Sequence, residues 1–505
     1  MPRSIRFVLL GSVFGAVLIA GFLAAATRRS SASAKSPSTA ASAPVTAALA
    51  TAQGSGEMVA PPGTVLHAAK KGDTMATLVR LYFADSSYIT ISEFENAVRE
   101  RNGNFKGAFL KPGANVIVPG MDNPIHSENA VLVPKDFEVK AVYLTGLMAG
   151  SDKGANIVRE WKKAGGNSVV FDIKDSDGSL SIASDNPLAP TGHKPYIRNL
   201  PKYTHWLHSQ NLHAIARIAI FRDELLVTHH PELAVKSRAT GQPWRENGKL
   251  VWTDPSNPAV QDYDIALAKA AIAGGADEVQ FDYVRFPAEG DQKDASFHFE
   301  KTHPDWKRSD VITNFLSRAY EQIHPSGVML SLDVFGVMAW QRPVDLSHTG
   351  QDIVGMAKYC DVLSPMIYPS HFFGMDGYAN PGDAPEHFIG ESMDRFLKIT
   401  NGSGVVIRPW LQAFAWRTKT YSPDYIRVQV ATAHEHGGNG FLFWNARNDY
   451  AKPYVAMPEM ASKPASYFHI EDAAVKTTPT AKPGVEVKPA VQKPSPEATP
   501  APSGE

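Results

Sequence analysis

The chain has 505 residues, enough for two or three domains and at least one large core, so a small stapled scaffold is excluded. Lys and Arg number 50 against 51 Asp and Glu, a formal net charge of −1 that gives no single-signed field and argues against nucleic acid as the main partner. Cys360 is the only cysteine, which excludes an intrachain disulfide and leaves nothing to support a zinc cluster or a redox pair.

In chain order, Arg3 and Arg6 precede residues 7–26, an uncharged run made mostly of Phe, Val, Leu, Ile, Ala and Gly. As a helix this run would be about 30 Å long, enough to cross a hydrocarbon core. A cleaved signal peptide has a shorter apolar run of about 7–15 residues, so residues 1–26 are expected to be an uncleaved transmembrane anchor. Ala24, Ala25 and Ala26 offer the cleavage site of the alternative, a secreted chain. Either way the bulk of the chain is expected on the extracytoplasmic side of the cell membrane. Residues 27–62 are Ser, Ala, Thr and Pro with few aromatic or charged side chains, the composition of a flexible linker, and residues 474–505 form a Pro-rich tail of the same extended kind.

Residues 64–120 are patterned as strand, helix, helix, strand. Asp73 or Thr74 can cap a helix whose apolar positions Met75, Leu78, Val79 and Tyr82 share one face, Phe94, Ala97 and Val98 mark a second, and a strand at 114–118 follows the turn at Pro112 and Gly113. Lys71, Gly72, Asp73 and Thr74 after a short strand, with LKPG at 110–113 and VIVP at 116–119, resemble a LysM domain. That resemblance implies binding to glycans that contain N-acetylglucosamine, peptidoglycan among them.

Residues 136–455 alternate short β-branched runs with longer helical stretches. Strands are expected at 139–149, 167–175, 213–223, 277–287, 328–336, 361–369, 405–416 and 440–448, with helices at 155–164, 201–209, 259–273, 310–323, 351–359, 385–399 and 423–436. Strand then helix, repeated eight times in about 310 residues, is the pattern of a (β/α)8 TIM barrel. The expected fold class is therefore α/β, with a small α+β module in front.

Alternate residues of a barrel strand face the interior, and here one phase is polar. It carries Asp172 and Lys174 in strand two, Gln280 and Asp282 in strand four, Ser331 and Asp333 in strand five, Ser364 and Tyr368 in strand six, and Arg408 and Gln412 in strand seven. Charges inside a barrel are costly unless paired or used, and barrel active sites lie at the C-terminal strand ends. Asp282 and Asp333 are the expected catalytic pair, since neighbouring carboxyls push their acidities apart into an acid and a nucleophile or base, the pair that glycoside hydrolysis uses. A buried ion pair of Asp282 with Arg285 or Arg217 is the structural alternative. The expected substrate-binding set is Asp172, Lys174, Asp175, Arg217, Gln280, Arg285, Tyr368, Arg408, Gln412, Trp444 and Asn445. Aromatic residues near the strand ends, Trp340, Phe372, Phe373, Trp410, Phe414 and Trp416 among them, suit a saccharide cleft. The His434, Glu435, His436 run lacks the i, i+4 spacing that converges on an ion, so neither metal nor cofactor is expected.

The stretches VKAVYLTGLMAG, NSVVFDIKDSDG, EVQFDYVRFP and LSLDVFG resemble the bacterial glycoside hydrolase domain long treated as a domain of unknown function, a distant relative of the α-amylase-like barrels. The resemblance covers 136–455, with FDYVRFP its most specific element. It implies that Asp282 holds the nucleophile position and Asp333 the acid/base position, where amylase-like enzymes usually carry Glu. The reading that follows is an envelope-anchored glycoside hydrolase acting on a polysaccharide; the alternative is a non-catalytic cell-wall glycan-binding or scaffolding protein. A metal-dependent deacetylase ranks last, because no Asp and His triad falls on strand ends.

Overall fold

The computed structural model describes residues 59–192 and 194–469. The expected anchor, most of the linker and the tail at 474–505 lie outside the described residues. Among the described residues no helix is long and apolar enough to cross a membrane.

The first unit runs β1 (Thr64–Ala68), α1 (Met75–Tyr82), α2 (Ile91–Arg101), β2 (Asn115–Pro119), with β1 and β2 antiparallel and Thr64 opposite Pro119. Thr74, not Asp73, caps α1 by accepting from the Thr77 backbone N–H. Thr90 and Glu93 close a reciprocal capping box on α2. Met75, Leu78, Val79, Phe94, Val98 and Val118 bury the facing surfaces of helices and strands in a small core of their own. Burying them stabilises the unit by about 1.5–3 kcal/mol per side chain before the entropy of ordering.

The rest is the barrel. Its strands are β3 (Lys140–Leu144), β4 (Ser168–Lys174), β5 (His213–Ala219), β6 (Glu278–Asp282), β7 (Met329–Phe335), β8 (Val362–Met366), a seventh strand in two pieces, β9 (Val406–Ile407) and β10 (Trp410–Gln412), and β11 (Phe441–Trp444). All pair in parallel, and the ring closes where Phe441 of β11 faces Lys140 of β3. Pro409 lacks an N–H to donate, so the ladder breaks between β9 and β10. The outer layer is α3 (Asp152–Lys163), α4 (Leu200–Ser209), α5 (Pro258–Ala273), α6 (Arg308–Ile323), α7 (Ile353–Met356), α8 (Pro385–Ile399), α9 (Pro423–Glu435) and α10 (Ala451–Ala461). Pro at the first or second position of α4, α5, α8 and α9 sets the helical φ at no hydrogen-bond cost. Gly440, at φ 70°, turns the chain into β11 where a Cβ would lie 2.1 Å from the Val139 carbonyl oxygen.

The two units are packed together. The buried Lys202 ammonium of α4 donates to the Phe83 and Ser86 carbonyls at 2.6 and 3.0 Å, Asn199 donates to the Ala84 carbonyl, and Arg159 of α3 pairs with Glu93 at 2.6 Å. Because barrel helices run antiparallel to the strands, Asn199 and Lys202 at the start of α4 lie toward the C-terminal strand ends.

Candidate active site

Strand register sets the site. Phe281 of β6 lies opposite Leu332 of β7, so Asp282 and Asp333, one residue further along, reach the same level on neighbouring strands. Asp333 is in turn opposite Ser364 of β8, and Ala219 of β5 opposite Asp282. The backbone then bends sharply: Tyr283 has φ 55°, a conformation costly for a residue with a Cβ, and its N–H donates to Asp282 Oδ1 at 2.6 Å.

Arg217, projecting inward from β5, joins the acids. Its guanidinium donates to Asp282 Oδ2 through Nη2 at 2.5 Å and Nε at 3.1 Å, and to Asp172 Oδ1 through Nη1 at 2.5 Å. Its Nε also lies 4.0 Å from Asp333 Oδ2. Because Asp282 and Asp333 both approach one nitrogen, their nearest oxygens are no more than about 7 Å apart. Tyr143 donates its hydroxyl to Asp172 Oδ2 at 2.5 Å, and Trp410 Nε1 donates to Asp333 Oδ1 at 2.7 Å.

The two carboxyls are therefore unlike. Asp282 is ion-paired. Asp333 is fully buried, and burial, with the charge of Asp282 beside it, holds its pKa well above the usual carboxyl range despite Arg217 and Trp410. Burial also lifts Asp172 to about 7 against the pull of Arg217. Although burial disfavours its charge, Arg217 is kept protonated by Asp172 and Asp282. An ion-paired carboxyl level with a buried one whose acidity is suppressed is the acid and nucleophile arrangement of glycoside cleavage.

Above these groups opens a cleft of about 530 Å³. Tyr143, Trp410 and Trp444 wall one side, with Tyr143 and Trp444 stacked at 4.2 Å. Tyr368, Phe414 and Trp416 form another, and Phe373 stands 62% exposed at the rim, an apolar face open to a ligand. Burial and the Arg417 charge push the cleft-lining His371 down to about 4, leaving it neutral at pH 7.

Of the residues expected from sequence, Asp175, Arg217, Asp282, Arg285, Asp333, Tyr368 and Trp444 line this cleft. Others do not. A register shift between Asp172 and Lys174 turns Lys174 out of the inward phase, and its ammonium is buried between Asp223 and Asp264 at 3.1 and 2.7 Å. Arg408 lies at the opposite end of the barrel, bonded to Glu278 at 2.9 Å, and although burial works against it this pairing holds Glu278 at about 2. Gln280 fills the layer between, donating to Ser364 at 3.3 Å. Gln412 accepts from the Ser370 N–H and donates to the Phe414 carbonyl, while Asn445 donates to the Ala413 and Asp449 carbonyls; both fix loops. Asp172 sits beneath Arg217 rather than in the cleft. Arg285 makes no ion pair with Asp282, and Trp340 packs under the rim against Phe372. Sequence reasoning missed Tyr143, whose inward place could have been read from the pleat of β3, and Tyr283, Arg222 and Glu246, which no periodicity marks.

His436 pairs with Asp394 rather than with its neighbours. Among the described residues a different set, Glu138, His434 and His469, brings its ligand atoms within 4.8 Å of one another at the end of the barrel away from Asp282, with the Lys140 ammonium 4.0 Å from Glu138.

Residues 141–450 match the family described as "Putative glycosyl hydrolase domain". Among solved structures, a hypothetical protein from Ruminiclostridium thermocellum is 38% identical over 38% of this chain and 97% of its own, with a TM-score of 0.34. The spore cortex-lytic enzyme of Bacillus megaterium is 12% identical over 82% of this chain and 89% of its own, with a TM-score of 0.39. An α-galactosidase from Thermus thermophilus is 16% identical over 67% of this chain and 63% of its own, with a TM-score of 0.42. Comparison with curated proteins gives no match.

Proposed function

From the premise that the chain belongs to this glycosyl hydrolase domain family, we propose that it is a glycosidase of the cell envelope that cleaves a polysaccharide with Asp282 and Asp333. The observation that carries this reading is the level placement of an ion-paired carboxyl and a fully buried one at the mouth of a closed barrel, around one guanidinium. Asp282 acts as nucleophile: its free lone pair forms a bond to the anomeric carbon as the glycosidic C–O bond breaks, and Asp333 gives its proton to the departing oxygen. Asp333, now ionised, takes a proton from water, whose oxygen displaces Asp282 and restores both groups. The upper bound of about 7 Å on their separation favours this retaining course over most of the wider inverting range. Arg217 orients Asp282 and spreads the negative charge as the bond forms.

The strand, helix, helix, strand unit is read as LysM-like, holding an amino-sugar polymer such as peptidoglycan beside the cleft. Its Phe109, 73% exposed beside Thr74, is an apolar face suited to sugar. Residues 7–26 are read as the membrane anchor that keeps both units at the cell surface.

Wild type and D282N are to be incubated with a panel of wall and matrix polysaccharides and the products identified by mass spectrometry. Chain shortening by the wild type and retained binding without cleavage by D282N support the reading. Binding without cleavage by the wild type across the panel sinks it in favour of a glycan-holding scaffold.

A further inference from the structure

A second guanidinium reaches the cleft without an ion-pair partner among the described residues. Arg285 is only 7% exposed, yet among the described residues it forms no ion pair, and its one hydrogen bond runs from Nη1 to the Phe286 carbonyl at 3.0 Å. The other donors of its five-donor fork are uncommitted. Three aromatic rings hold it in place, with its guanidinium carbon 4.7 Å from the Trp252 centroid, 5.3 Å from Tyr283 and 4.4 Å from Phe335. The left-handed turn at Tyr283 carries it away from Asp282, which Arg217 already occupies.

Arg222 shares the Tyr283 ring, 5.7 Å from its centroid, lines the same cleft, and likewise forms no ion pair among the described residues; it donates to the Ser176 carbonyl at 2.8 Å. Glu246, Asp282 and Arg222 act electrostatically on Arg285, and among the described residues neither acid forms an ion pair with it. A buried cation with no counter-charge in contact is costly, and here burial already depresses the Arg285 pKa. A fork that is held flat by rings and opens into a ligand cleft fits a planar carboxylate in two parallel hydrogen bonds.

We propose that Arg285, with Arg222 beside it, is an anion subsite adjoining Asp282, and that the glycan taken by this cleft carries a carboxylate on the sugar at or next to the scissile bond, as in a uronic-acid-containing polysaccharide. The proposal rests on the glycosidase reading for the word scissile, but the subsite can be tested without cleavage. Full-length D282N is titrated calorimetrically at low salt with glucuronate and galacturonate oligosaccharides and with the carboxyl-reduced form of each. At least one acidic member is expected to bind about tenfold or more tightly than its reduced counterpart, the gain of one charge-assisted bidentate contact. In D282N carrying R285M the preference is expected to vanish, and in D282N carrying R285K to survive in part. Equal binding of acidic and reduced members in every pair overturns the proposal, as does a preference that R285M leaves intact. Equal binding of acidic and reduced members in D282N overturns the proposal even where an Arg285 variant fails to fold. Preference for the acid with no cleavage by wild type would leave the subsite standing and remove only the hydrolase reading.

Discussion

Trp410 Nε1 donates a 2.7 Å hydrogen bond to Asp333 Oδ1, so one indole supports the ionised form of an acid that burial and Asp282 hold protonated. The two influences oppose each other, and W410F removes one of them while keeping an aromatic ring. Asp333 then holds its proton to still higher pH. As a general acid works only while protonated, the alkaline limb of kcat/KM is expected to move up in W410F, with the plateau about tenfold lower from the lost orientation. A limb that stays in place, or moves down, would show that Asp333 does not set it.

The two carboxyls separate by leaving group. D282N is expected to lose about 10⁴-fold in kcat on any substrate, because it removes the group assigned to form the covalent intermediate. D333N is expected to lose about 10² to 10⁴-fold on a natural glycoside, whose leaving oxygen needs a proton. On an aryl glycoside with an acidic phenol the first step no longer needs that proton, so D333N is expected to release phenol in a burst and stall before deglycosylation. Both variants failing alike on both substrates would refute the division of labour.

The alternation of β-branched runs with helical stretches made the barrel legible, since burial on both faces of a parallel strand demands those residues. The pleat then picked out Asp282 and Asp333, because a carboxyl in the inward phase at a strand end has few structural uses. Depth and phase along a strand were less accessible. Lys174 is two residues past Asp172, but a register shift between them rotates it outward into an ion triad. Arg408 is in the inward phase at the wrong level, in the break between β9 and β10, where it meets Glu278. Arg285, three residues past Asp282, shared with Arg217 the reading of its ion-pair partner; Arg217 takes that place, and the positive φ of Tyr283, which no pattern announces, sends Arg285 elsewhere.

Arg217 holds Asp172 and Asp282 at once, and it is 2% exposed. R217M keeps the volume of the side chain but leaves these acids facing each other without a cation. Removing one member of a buried ion pair typically costs about 3–5 kcal/mol, and urea unfolding of R217M should show a loss of that order together with loss of activity. The double variant R217M/D172N, with one acid neutralised, should recover part of the stability and none of the activity. A single variant as stable as wild type would mean that the cluster is solvated.

Asp172 gives the site a pH signature of its own. Burial raises it to about 7 in the folded chain, against about 3.9 unfolded. Between these values the folded state keeps a proton that the unfolded state gives up. The stability contributed by this proton is therefore fully present below about pH 4 and is lost as pH rises through about 7, by at most about 1.4 kcal/mol per pH unit. In D172N the position cannot titrate, though the amide oxygen can still accept from Tyr143. The difference in unfolding free energy between wild type and D172N, measured by urea titration from pH 4 to pH 7.5, should accordingly shift in favour of the variant as pH rises. A difference that is flat across this window would mean that Asp172 is ionised throughout and that its contact with Arg217 outweighs its burial.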